Sequence, residues 1–74
     1  MTNMTTIEAD FSNAVTMQAR AIRSRSLAIK AGDYGNAATY RAEASKWAMT
    51  AWSLSSSIDR DRIHALATAA RAAA

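Results

Sequence analysis

The stretch Ala37-Ala-Thr-Tyr40-Arg-Ala-Glu-Ala44-Ser-Lys-Trp47-Ala-Met-Thr-Ala51-Trp-Ser-Leu54 decides the fold. Ala37, Ala44 and Ala51 recur every seven residues, and so do Tyr40, Trp47 and Leu54. One stripe of a helix therefore reads small, large, small, large, the pattern of helices that pack lengthwise. Alanine lets a neighbouring backbone come close, and the large residues fill the space beside it. A helix over about 36–55 with a lengthwise partner is the expectation.

Working upstream, Gly32-Asp33-Tyr34-Gly35-Asn36 reads as a turn, and its two glycines are the only ones in the chain. Glycine supplies a positive φ after a helix, and Asp or Asn can cap the next one. Thr5 and Glu8 have capping-box spacing, in which a hydroxyl accepts from an orphan amide and the carboxylate reaches back. A first helix over about 6–31 follows, after a polar segment 1–5 expected to fray. Its apolar stripe is Ile7, Phe11, Ala14, Val15, Ala21, Ile22, Ala28 and Ile29.

Downstream, Ser53, Ser55, Ser56 and Ser57 mark a weaker break, because serine competes for backbone hydrogen bonds. Ser56 and Asp59 repeat the capping-box spacing, and Asp59 and Asp61 would sit in a first turn where the macrodipole favours negative charge. A third helix over about 58–72 results, with Ile63, Leu66, Ala67 and Ala70 on its face. Nineteen of the 74 residues are Ala, the best helix former, and proline is absent. The fold class expected over residues 1–74 is all-α. It is a small three-helix bundle, or a helical hairpin whose short third helix folds over one end or reaches a partner subunit.

Ala31-Gly32-Asp33-Tyr34, followed by Ala37 and Ala44, is similar to the turn and second helix of a tetratricopeptide repeat. The likeness covers about a dozen residues. The family's next aromatic follows Ala37 by four positions, whereas Tyr40 follows by three, and helix 1 lacks the family's Trp-Leu-Gly-Tyr pattern. The resemblance implies a shared way of building a helical hairpin.

Composition narrows the function classes. The chain has no Cys, which rules out disulfides and thiolate metal sites, and one His, which rules out a His-rich site. Asp59, Asp61 and His64 read as a cap region with a surface histidine, so no metal, cofactor or catalytic residues are expected. No apolar run has the length of a membrane span, and the N-terminus lacks a signal-peptide pattern, which makes a cytoplasmic protein with no membrane partner the expectation. A core of this size supplies only about 3–5 kcal/mol, so oligomerisation, a dimer first, is expected as the remaining staple. The richness in Ala and Arg points to a GC-rich genome of a bacterium or its phage. A net charge of +3 permits acidic partners.

Two sets of residues stand out as contacts. Tyr34, Arg41 and Trp52 lie on a flank of helix 2, off the Tyr40–Trp47–Leu54 line, and Tyr, Trp and Arg are enriched in interface hot spots. Trp52 either packs under helix 3 or anchors a partner. Met49 and Leu27 would mark an oligomer contact if they cluster. Arg20, Arg23, Arg25 and Lys30 form a run with no acid between them, an electrostatic footprint for phosphates or an acidic partner. Arg25 and Gln18 fall within the apolar stripe of helix 1. A buried guanidinium needs a partner, so Arg25 is expected to pair with Glu43, to reach solvent at the edge of the stripe, or to meet another chain. The function read from these features is a non-enzymatic protein–protein interaction module, such as a phage or mobile-element inhibitor or adaptor that occupies a partner surface. The alternative is a nucleic-acid-binding bundle that uses the basic face of helix 1.

Overall fold

A computed structural model describes residues 4–74, which are all-helical: α1 (Thr6–Lys30), α2 (Tyr34–Ser55) and α3 (Arg60–Ala73). Both halves of the capping box at the start of α1 form. The Glu8 amide donates to Thr5 Oγ1 at 3.1 Å, and the Thr5 amide donates to Glu8 Oε1 at 3.0 Å. Thr5 is thus a structured N-cap rather than part of a frayed tail. Residues 1–3 of that expected tail lie outside the described residues.

The turn closes through Gly32, whose φ of +75° reverses the chain and whose amide donates to the Ile29 carbonyl. α2 begins at Tyr34, two residues before the expected Asn36, because Asp33 is its cap. The Asp33 carboxylate accepts from the Asn36 amide at 3.2 Å and from the Asn36 side-chain amide at 2.7 Å.

α1 and α2 form a long antiparallel hairpin. Ala28, Ala21 and Ala14 stand at the same sequence distances before the turn as Ala37, Ala44 and Ala51 stand after it. Five of these six are buried and Ala44 is half-buried. Two heptad lines of alanine therefore face each other, and the hairpin is zipped by backbone proximity rather than by large side chains. Tyr40, Trp47 and Leu54 are only half-buried beside this seam.

The expected Ser56–Asp59 capping box does not form. Ser55 Oγ donates back to the Trp52 carbonyl and Ser56 Oγ to the Ser53 carbonyl, so these serines finish α2 instead of starting α3. Asp59 is the N-cap of α3 without a side-chain cap bond, and the helix starts at Arg60, two residues later than expected. The backbone of α3 runs beside α1 and farther from α2. Leu66, Ala67 and Ala70 join Phe11, Ala14, Val15 and Ala51 in the main core, with Trp47, Leu54, Ile58 and Ile63 against it. Two polar contacts mark the ends of this contact. Arg62 Nε donates to Glu8 Oε2 at 2.7 Å, and Arg23 donates to the Ala74 carbonyl at 2.8 Å. α3 therefore covers α1 between the levels of Glu8 and Arg23, and the last two turns of α1 extend beyond it.

Candidate functional site

The uncovered half of the hairpin carries an open groove of about 550 Å³. Arg25 and Ile29 of α1 border it on one side, and Tyr34, Ala38, Arg41 and Ser45 of α2 on the other. Its position follows from the register of α1. Val15, Ile22 and Ile29 lie on one line at seven-residue spacing. Val15 is buried in the core with α3, whereas Ile22 and Ile29 are 48% and 41% exposed. Ile22 sits beside Arg71 near the end of α3, and Ile29 lies past it. The apolar line of α1 thus continues beyond the helix that covers its first part.

Tyr34 and Arg41 meet Arg25 at this groove, joining one member of the basic run to two of the expected partner residues. Of the three expected outcomes for Arg25 the structure shows the one at the edge of the stripe: its side chain is exposed, and no ion pair with Glu43 forms. The reason is the rotation of α1. Its inward line is Ala14–Ala21–Ala28, which turns the Gln18–Arg25 line toward the edge, and there the guanidinium reaches solvent. Arg41 is exposed as well. Neither arginine has an ion-pair partner among the described residues, and no acidic side chain lines the groove.

Trp52 is not part of the groove. It lies on the same side of α2 as Tyr34, Ala38 and Ser45, and it is 81% exposed because α3 follows α1 and leaves this flank open. The reading that placed Trp52 under α3 is therefore corrected. Met49 stands free nearby on α2, while Leu27 lies on α1 beside Tyr40. These two are on different helices and far apart along the hairpin.

The basic run divides among three tasks. Arg23 donates to the carbonyl of Ala74, the C-cap of α3, where a cation also suits the negative end of the helix dipole. Arg25 borders the groove. Arg20 and Lys30 point to solvent. The acidic groups also have local roles: Asp33 caps α2, and Glu8 is engaged by the Thr5 amide and Arg62, which hold its carboxyl below the usual carboxylate range. Among the described residues no group of three His, Cys, Asp or Glu side chains gathers in a way that could hold a metal. Among the described residues no helix is long and apolar enough to cross a membrane.

The apolar stripe expected of α1 includes Ile7, Ile22 and Ile29, and all three are exposed. The signal was present in the second alanine heptad, Ala14–Ala21–Ala28, which competes with the larger residues for the inward direction. No protein-family model matches the chain, and no curated protein or solved structure matches it.

Proposed function

We propose that this protein is a non-enzymatic interaction module that works by seating another protein on the half of its hairpin that α3 leaves open. One observation carries this reading. An apolar line of α1 that α3 covers at Val15 emerges past the end of α3 at Ile29, which borders a groove flanked by Tyr34 and two arginines without an ion-pair partner among the described residues. Contiguous exposed apolar surface with a polar rim marks contact sites on small soluble domains. An inhibitor or adaptor that acts by occupying a surface needs nothing more. A dimer remains the expected solution state, supported by a core in which no large side chain is fully buried.

Photo-cross-linking tests the reading. A photoreactive phenylalanine analogue replaces Ala38 in the groove or Asn13 outside it, in the cells that make the protein. A discrete cross-linked protein from position 38 and none from position 13 is the expected result. Equal yields from the two positions, or products that vanish with nuclease, would overturn it. The nucleic-acid reading retains one supporting observation, the exposed pair Arg20 and Lys30. If it holds, binding falls steeply with salt, with a slope of about one per phosphate contacted.

A further inference from the structure

We infer that the occupant of the groove is an acidic amphipathic helix that lies along α1 and α2 where α3 stops, completing the third position of the bundle at this end. The inference rests on the interaction-module reading and specifies its partner.

Three observations point to a helix of this chemistry. First, the molecule already shows what fits the line: α3 packs a Leu–Ala face on α1 at Phe11 and Val15, and the heptad line of Val15 runs through Ile22, beside the end of α3, to Ile29 at the groove. Second, the α2 side of the groove carries the small residues Ala38, Ala42 and Ser45 beside Tyr34 and Arg41. Small residues there admit a third backbone as closely as the alanine seam admits the second. From Tyr34 to Ser45 the trough runs about 17 Å, or about three helical turns. Third, the charge is one-sided. Arg25 and Arg41 stand on opposite borders with no acid between them. Residues 20–46 hold six of the nine basic residues against two acids, Asp33 and Glu43.

That charge also disfavours a second copy of α3 as the occupant, since its three arginines, Arg60, Arg62 and Arg71, outnumber Asp59 and Asp61 at its start. It suits a helix with apolar residues at i, i+4 and i+7 and carboxylates on both flanks, each able to take a guanidinium in a two-point contact. Nucleic acid fits less well, because the floor is apolar and Arg23 is engaged at the end of α3.

The test is selection of 15-residue peptides from a random display library on the full chain, followed by anisotropy titrations of the enriched sequences. Enriched peptides with helical apolar spacing and net negative charge are expected. They should bind the Arg25→Glu/Arg41→Glu variant at least tenfold more weakly, and changing their flanking Glu to Lys should restore binding to that variant. The charge-swapped pair keeps the result interpretable if the double variant alone is perturbed. Lack of enrichment, enrichment without acidic bias, or affinity unchanged by the double variant would overturn the inference. So would loss of self-association in Arg25→Glu/Arg41→Glu, or RNA binding abolished by it; these reassign the groove to a second copy or to nucleic acid. Any of the first three results together with a protein cross-linked from position 38 fails the acidic-helix inference alone and leaves the interaction-module reading standing.

Discussion

Two glycines three positions apart respond in opposite ways to the same substitution. Gly32 has φ +75° and open space around an added Cβ, so Gly32→Ala meets no clash and suffers only the left-handed backbone cost, about 1 kcal/mol. Gly35 has ordinary helical backbone in the first turn of α2, and its added Cβ would rest 3.9 Å from Asp33 Oδ1. Gly35→Ala then gains about 0.5 kcal/mol from reduced backbone entropy in the unfolded chain. Thermal melts should show the first variant lower and the second higher than the parent, by about 4–8 °C per kcal/mol at this size. Two shifts of the same sign would refute the assignment of the turn. Glu8 adds a pH dependence. Its carboxyl is held low first by the Thr5 amide and then by Arg62. A lowered folded-state pKa contributes stability above the unfolded value of about 4.3 and loses it as pH falls through the folded value. The gap in Tm between the parent and Glu8→Gln should be open at neutral pH and close in acid. Parallel curves down to pH 2 would show that the capping box and the ion pair contribute nothing.

At the scale of the elements, the hairpin rests on matching alanines, and the two halves of that match were unequally visible. In α2 the Ala37–Ala44–Ala51 line stands out because its neighbours are polar or lie on another flank. In α1 the line Ala14–Ala21–Ala28 is masked by Phe11, Val15, Ile22 and Ile29, which dominate any apolar count. Hydrophobicity alone favours burying the larger residues. Close backbone packing favours the alanines, and it prevails along the whole hairpin. That rotation explains the exposure of Arg25, the open groove and the failure of the Arg25–Glu43 pair. The path of α3 was not legible for a related reason. Leu66, Ala67 and Ala70 make a face too small to name its receptor, and the Phe11–Val15 shoulder that the rotation leaves outside the alanine seam supplies one. The seam makes its own prediction. Ala14 is fully enclosed, so Ala14→Leu forces the helices apart and should cost about 1–3 kcal/mol or more. Ala69→Leu on the exposed side of α3 should stay within about 0.5 kcal/mol of the parent. Comparable melts for the two variants would mean that the helices are not in contact along Ala14.

Across the whole molecule, cohesion is uneven. The hairpin is held along its length, whereas α3 is a 14-residue helix attached to it by one small apolar face, one ion pair and one arginine at the carbonyl of its C-cap Ala74. A helix of that length is marginal alone in water, so its order depends on that contact. Its N-cap lacks a side-chain hydrogen bond, which lowers the cost of opening further. Opening of α3 would bare Phe11 and Val15 and extend the groove along the full length of α1. Hydrogen exchange should therefore find the amides of Ala67 and Ala70 opening at lower free energy than those of Ala21 and Ala44. Arg23→Ala removes the bond to the Ala74 carbonyl without touching the seam. It should speed exchange in α3 by about two- to tenfold, the equivalent of one exposed hydrogen bond, and leave the hairpin rates unchanged. One common rate for all three helices, shifted together by Arg23→Ala, would instead make α3 part of the same cooperative unit, and the groove would then end firmly where α3 ends.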